Sequence, residues 1–327
     1  MKFLIAGFGS IGRRHFRNLL ALGERDIVLY RTHHSTLPDD EVAGFPVETD
    51  LRAALAYQPE AVIIANPTAL HLEVAIPAAQ CGCHLLIEKP ISHSMAGIDE
   101  LEQAVMENDV RVLVGYQYRF HPGLLQVRKH LKARSIGEVL SVRAHWGEYL
   151  PGWHPWEDYK QGYAARQELG GGAVLTLSHP LDYLRWFFGD VEVLSAFTSQ
   201  KGLKLAVEDE AEILLRFKSG VLGSVHLDYN QCPTSHWLEI IGTRGTLRWD
   251  NSDGAVRLAR VDQDGAVAAW QEFSLPAGFE RNSMFLDELR HFRNVSRGET
   301  EPICNLQDGI SALKVALAAL KERYINL

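Results

Sequence analysis

Cysteine is scarce. Cys81, Cys83, Cys232 and Cys304 are the only four, and they form neither a C-x-x-C pair nor a zinc-ligand spacing. A chain of 327 residues needs no disulfides to fold, so they read as free thiols of a reducing cytoplasm. Long apolar runs are missing too: no stretch approaches the roughly 18 uninterrupted apolar residues of a membrane span. The apolar start Met1 to Ala6 is broken by Gly7, Gly9, Arg13 and Arg14 before it could serve as a signal peptide. There is no basic excess. Against 41 acidic residues stand 33 basic ones, giving a net charge of −8 and a pI near 6.0. Nothing in that balance draws the chain to nucleic acid or to an acidic membrane. Repeats, low-complexity segments and Gly/Ser linkers are absent. The histidines are scattered, and His33, His34 and His71 lack converging partners, so no metal is expected. What remains is ordinary globular composition, 46% hydrophobic and 23% charged, in a length that suits two domains.

The first third reads as a dinucleotide site. Phe3 to Ala6 is an apolar strand that ends on Gly7-Phe8-Gly9-Ser10-Ile11-Gly12, after which Ile11, Phe16, Leu19, Leu20 and Leu22 recur at helical spacing. Strand, glycine turn and helix is what a pyrophosphate needs: a tight turn, close backbone approach, and the positive end of a helix facing the anion. The second strand, Ile27 to Tyr30, ends on Arg31 and Thr32, where an NAD site would place an acid against the ribose hydroxyls. Asp26 lies at the wrong end of that strand. Arg31 and Thr32 suit a 2′-phosphate, which favours NADP over NAD; the alternative is that Arg31 is a solvated loop cation. Further units follow: a strand at 61–65, the turn Asn66-Pro67-Thr68 and a helix from His71; a strand from His84 to Glu88-Lys89-Pro90 and a helix from Met95 to about Glu107; and a last strand from Val110 to Tyr116. This alternation predicts a parallel, doubly wound sheet with its ligand crevice beyond the carboxyl ends of the strands.

These motifs, with Gly115-Tyr116 through Arg119-Phe120-His121-Pro122, Gly170-Gly171-Gly172 followed by His179 and Asp182, and Gly242-Thr243-Arg244-Gly245-Thr246-Leu247, resemble the glucose–fructose oxidoreductase, inositol dehydrogenase and MocA family of nicotinamide-dependent oxidoreductases. The resemblance runs in the family's order over most of the chain. It implies a Rossmann domain, placed at residues 1–120, and an α+β domain with a large open, mainly antiparallel sheet at residues 121–327. It also implies that Lys89 is an active-site residue, frequently preceding a cis bond to Pro90. The family often carries an acid where this chain has Thr176, and it does not fix the substrate.

In the second domain, Leu124 to Leu131 reads as a helix and Val139 to Trp146 as a strand. A loop with Trp153, His154 and Trp156 follows, either an aromatic surface for a sugar ring or a surface loop pinned by core tryptophans. Over 173–189, Val174, Leu177, Leu181, Leu184 and Phe188 form one helical stripe, with Leu175, His179, Asp182 and Trp186 on the opposite side, read as the wall of a cleft. Pro180 requires that helix to start near it or to bend. Strands then dominate, including a hairpin about Gly242 to Gly245, before two closing helices at 282–296 and 306–324. An open sheet needs a cover, so a homodimer or homotetramer through that face is expected.

The chemistry expected is hydride transfer between nicotinamide and a secondary alcohol or ketone of a sugar, cyclitol or sugar derivative. His179 is the candidate general base, Lys89 the donor to the hydroxyl oxygen, and Asp182 a residue that orients His179 or binds a second hydroxyl. Gly7, Gly9, Ser10, Ile11, Gly12, Arg31, Thr32, Asn66, Pro67, Thr68, His71, Glu88 and Lys89 are candidate cofactor contacts. Tyr116, Arg119, Trp153, His154, Tyr163 and Arg166 are candidate substrate contacts, with Lys89 and His179. Two competitors use the same fold: an enzyme whose tightly held dinucleotide is oxidised and re-reduced within one turnover, and a non-catalytic cofactor or sugar sensor.

Overall fold

The computed structural model describes residues 1–32, 40–262 and 264–321. His33, His34 and the last three residues of the expected helix 306–324 lie outside the described residues. The chain divides into two compact units: residues 1–117 with 281–313, and residues 118–280 with the chain from Lys314 on. This corrects the expected boundary in two ways. The change of unit falls between Gln117 and Tyr118 rather than after Phe120, and most of the C-terminal helical segment packs with the first unit.

In the first unit, strands β1 (Phe3–Ala6), β2 (Ile27–Tyr30), β3 (Val47–Glu48), β4 (Ala61–Ile64), β5 (His84–Glu88) and β6 (Val112–Gly115) form a six-stranded sheet in the order β3-β2-β1-β4-β5-β6. Every pairing is parallel. β1, β4 and β6 are buried throughout, which is why they read as unbroken apolar runs instead of alternating ones. Helices α1 (Ser10–Ala21), α2 (Leu51–Leu55), α3 (His71–Gln80) and α4 (Ile98–Glu107) connect them. The expected start of α4 at Met95 moves to Ile98, because Gly97 takes a left-handed conformation with φ 82° and ends the preceding turn.

The second unit opens with α5 (Pro122–Lys132), whose N-terminus is capped by His121 accepting from the Gly123 amide at 3.0 Å. Its sheet is built from β7 (Val139–Tyr149), β8 (Val191–Ser199), β9 (Glu210–Phe217), β10 (Leu222–Asp228), β11 (Asn230–Gly242), β12 (Gly245–Asp250), β13 (Val256–Arg260) and β14 (Gln271–Phe273), in the order β14-β13-β12-β11-β7-β10-β9-β8. All neighbours are antiparallel except β7 and β10, which run parallel at the centre. β11 and β12 form the expected two-residue hairpin, with Gly242 opposite Gly245. Strict alternation of buried and exposed residues along β9 shows one face packed and the other open.

The single helix expected over 173–189 is two, α6 (Ala173–Thr176) and α7 (His179–Phe188), with Ser178 as the cap between them and Pro180 in the first turn of α7. There the missing amide of proline costs no hydrogen bond. The chain closes with α8 (Arg281–Ser296) in the first unit and α9 (Leu306–Lys321), which begins in the first unit and ends in the second.

Candidate active site

Because all six strands of the first sheet run parallel, their carboxyl ends share one edge. Across it from β2 to β6 stand Arg31, Gly7, Asn66, Lys89 and Tyr116, each just beyond its strand. Gly7 has φ 90°, and a Cβ there would lie 2.5 Å from the Asn66 backbone nitrogen, so the turn between β1 and α1 closes against β4 only without a side chain. Gly9 differs. A Cβ on it would meet nothing within 4 Å, so the outer side of the turn is open. The helix beyond carries no acid in its first turn, and Ser10, Ile11 and Gly12 present amides with no partner inside the helix. An open glycine turn on the positive end of a helix fits the pyrophosphate of a dinucleotide.

Arg31 is 5% exposed, with its guanidinium carbon 5.5 Å from the centre of the Phe8 ring in the glycine turn, and Thr32 is exposed. The solvated-cation alternative for Arg31 is therefore set aside. Asn66 donates to the Leu70 carbonyl at 3.0 Å, Pro67 leads into the short turn Thr68–Leu70, and Thr68 is buried. His71 ties two turns together: Nε2 lies 3.0 Å from the Asn66 carbonyl and Nδ1 3.0 Å from the Pro90 carbonyl. Burial holds its pKa below the ordinary histidine value. Its place is that of a strut beneath the site. Glu88 is likewise committed inward, its Oε1 2.7 Å from His15 Nε2 and its Oε2 accepting from the Lys89 amide at 3.3 Å. Lys89 itself is half-buried and joined to Pro90 by a cis peptide bond, and Tyr116 is buried.

In the second unit His179 opens α7 and is 1% exposed. Its ring lies 4.8 Å from that of Tyr118 and 5.3 Å from that of Trp146. Asp182, one turn on, is held by Arg119, which donates Nε at 3.0 Å and Nη2 at 2.7 Å to its two carboxylate oxygens. Both partners are buried, which strengthens this bidentate pair. The expected cleft wall changes character as well. Leu175, His179 and Asp182 are all buried, and Trp186 lies under the Arg119 and Arg128 guanidiniums, because the break at Ser178 resets the helical phase on which a common face depended. Thr176 is buried in α6.

The tryptophan loop divides between its two readings. Trp146 and Trp153 both donate their indole N–H to the Glu148 carboxylate, at 2.9 and 3.0 Å, whereas Trp156 is 66% exposed with His154 against it. Tyr163 is exposed, and Arg166 pairs with Glu168 at the surface. Three residues that the sequence did not single out as chemistry lie nearby: Tyr118, which meets the His179 ring, and His121 and His236, which pack on Tyr118 in turn. Burial pushes His121 down to about 4 and His236 well below the ordinary value, so both are neutral near pH 7. The Tyr183 hydroxyl lies 3.3 Å from His236 Nε2. The period-two spacing of His236 with Leu238 and Ile240 was the available signal.

Taken by themselves, the parallel sheet, its strand order and the open glycine turn define a Rossmann-type dinucleotide-binding unit, joined in one chain to a unit built on a large mixed sheet. Comparison with known proteins narrows this. Residues 1–116 match the model of the oxidoreductase family with an NAD-binding Rossmann fold, and residues 124–248 match the GFO/IDH/MocA C-terminal domain. The chain belongs to the GFO/IDH/MocA oxidoreductase family. It is 30% identical over 244 residues to an uncharacterized oxidoreductase of Synechocystis sp., covering 70% of this chain and 65% of that one, slightly under two thirds of the relative's length. To the myo-inositol 2-dehydrogenase of Thermotoga maritima it is 27% identical over 344 residues, covering 98% of this chain and 96% of that one. The structure of a levoglucosan dehydrogenase in complex with NADH and levoglucosan superposes with a TM-score of 0.84 at 22% identity, covering 98% of this chain and 96% of that one. At that identity the likeness is one of fold.

Proposed function

We propose that the protein is a nicotinamide-dependent oxidoreductase that interconverts a secondary alcohol and a ketone on a sugar, cyclitol or sugar derivative. The observation that carries this reading is the position of Lys89 at the carboxyl end of β5, two strands from the open glycine turn on the same edge of the sheet. A dinucleotide held there supplies the hydride acceptor or donor. The turn at Gly7, Gly9, Ser10, Ile11 and Gly12 binds its pyrophosphate, with Asn66, Pro67 and Thr68 beside it. Lys89 donates a hydrogen bond to the substrate oxygen and stabilises its alkoxide character. His179 takes or returns the hydroxyl proton, and Asp182 with Arg119 fixes the start of α7 that carries it. Trp156 and Tyr163 provide exposed surface for a ring, with the half-buried His154 ring against Trp156. Alignment along nearly the full length of a myo-inositol dehydrogenase supports the substrate class.

Arg31 at the end of β2, with no acid at the adjoining described positions, supports NADP over NAD. The open face of the second sheet carries Phe197, Leu214 and Leu222, all exposed, and supports a homo-oligomer formed through that face. A panel of sugars, inositols and sugar derivatives assayed with NAD and NADP separately tests the reading. Turnover of at least one polyol with NADP the better cofactor is the expected result. Equal or better use of NAD overturns the Arg31 assignment. Tightly retained dinucleotide with product formed and no net nicotinamide reduction favours the enzyme that re-reduces its own cofactor.

A further inference from the structure

Helix α8 presents Met284, Phe285, Leu289, Phe292 and Val295 as a buried apolar stripe, and Glu288 stands in the middle of it. Its side chain is fully buried, and neither carboxylate oxygen has a hydrogen-bond partner. A buried carboxylate left in that state is costly, and such a group is retained in folded proteins when it is paired or neutral. Its neighbours are two other buried polar groups: one ligand atom each from His15, Glu88 and Glu288 lies within 4.8 Å of the others. The His15–Glu88 contact is already closed at 2.7 Å, so the nitrogen and oxygen that a metal ion would need are spent on each other. A hydrogen-bond donor is what this arrangement lacks, and a carboxylic acid is one.

We propose that Glu288 is a positioning residue carried as a neutral carboxylic acid, which hydrogen-bonds towards the Glu88 carboxylate across a spacing that one water bridges and so holds Glu88 beneath Lys89. The proposal rests on the reading of Lys89 given above. The packing is consistent with it. Gly115 leaves room for the Glu88 side chain, since a Cβ there would come 3.3 Å from its carboxylate, and Glu88 in turn accepts from the Lys89 amide. His15 lies in α1, the helix that begins at the glycine turn. Glu288 therefore joins three elements of the dinucleotide unit: α8, the phosphate-facing helix and the strand end that bears Lys89. Burial pushes the Glu288 carboxyl well above the usual carboxylate range, and the charge of Glu88 pushes it the same way. The groups that face it are His15 from α1 and Glu88 from β5, and the charge of Arg14 of α1 interacts with that of Glu88. Loss of the Glu288 proton sets two carboxylates against each other in the same enclosure, and Glu88 shifts together with the amide it holds.

The test uses the full chain and needs no substrate. Infrared spectra of protein with carboxyl-labelled glutamate are expected to show a protonated carboxylic acid at pH 7 that disappears in Glu288→Gln. The side-chain NMR signal of Lys89, assigned with Lys89→Met, is expected to show an inflection in wild type at the pH where that band is lost, and none in Glu288→Gln, whose amide stays neutral and keeps a donor. Absence of the acid band, an inflection that persists in the glutamine variant, or one missing from wild type while the band titrates each overturns the proposal. So does one equivalent of tightly bound divalent metal that is lost in the variant. If instead Lys89→Met keeps its turnover while the band and inflection behave as described, the catalytic reading of Lys89 falls and the placement of Glu288 stands.

Discussion

Among the described residues each unit groups a histidine with two carboxylates, and the two groups resolve the same chemistry in opposite ways. In the first unit His15, Glu88 and Glu288 are buried together, and burial drives the proton onto a carboxyl: Glu288 is raised well above its ordinary range. In the second unit His226 on β10 lies 2.9 Å from Asp228 and 2.7 Å from Glu212, on the open face of the sheet, and there the imidazole holds the proton. The Asp228 hydrogen bond foremost, opposed next by burial and then supported by Glu212, raises its pKa to about 9. Water makes the difference. Where solvent supports charge, opposite charges pair; where it is excluded, one acid gives up its charge. The His226 ring is also stacked on that of His145, which is stacked on Trp237, in register across β10, β7 and β11, so the exposed group is braced by rings where the buried one is braced by a core.

Removing the histidine from each group separates the two most strongly. His15→Leu leaves the buried Glu88 carboxylate without its 2.7 Å partner and is expected to cost about 3 kcal/mol in denaturant unfolding. His226→Leu, at a partly exposed site, is expected to cost less, about 1 kcal/mol. Equal losses would break the comparison. The pH dependence sharpens it. The folded pKa of Glu288 lies above its unfolded value, so its contribution to stability is complete below about 4.5 and is lost as pH rises towards the folded value. Wild type is therefore expected to lose stability relative to Glu288→Gln by about 1.4 kcal/mol per pH unit on the rising side, measured as unfolding free energy at several pH values. A flat difference would mean that Glu288 is ionised in the folded protein.

His226 follows the same sign. Its stabilisation is fully present below the ordinary value of 6.5 and is lost as pH rises through about 9. Thermal unfolding of wild type and His226→Gln is expected to differ most near pH 6 and to converge above pH 9. Convergence at lower pH would mean that the two carboxylates do not hold the imidazolium.

The first unit was largely legible in the sequence because β1, β4 and β6 are buried throughout and appear as apolar runs, and because the glycine turn has a local cause; the short, half-exposed β3 and the five-residue α2 were not read from it. The hairpin at Gly242 was legible too, since its turn glycine sits between two apolar runs; the alternation of β9 was read only from the structure. What escaped was set by contacts between distant residues. Arg119 and Asp182 are 63 positions apart, and nothing local to either announces a bidentate pair. The return of residues 281–313 to the first unit is likewise invisible to local pattern. One signal was present and missed: an acid at Glu288 amid the stripe of Met284, Phe285, Leu289 and Phe292 marks a buried charge that needs an explanation. The break at Ser178 was only half visible, since Pro180 demanded a start or a bend without choosing between them.

The central claim is that Lys89 carries the chemistry at the carboxyl edge of the Rossmann sheet. It is tested most directly by steady-state turnover of Lys89→Met on the best polyol of the substrate panel, with cofactor affinity measured alongside. Loss of the donor to the reacting oxygen is expected to lower kcat by about a hundred- to a thousandfold, with the dinucleotide still bound. Turnover close to wild type in a folded Lys89→Met protein would contradict the account.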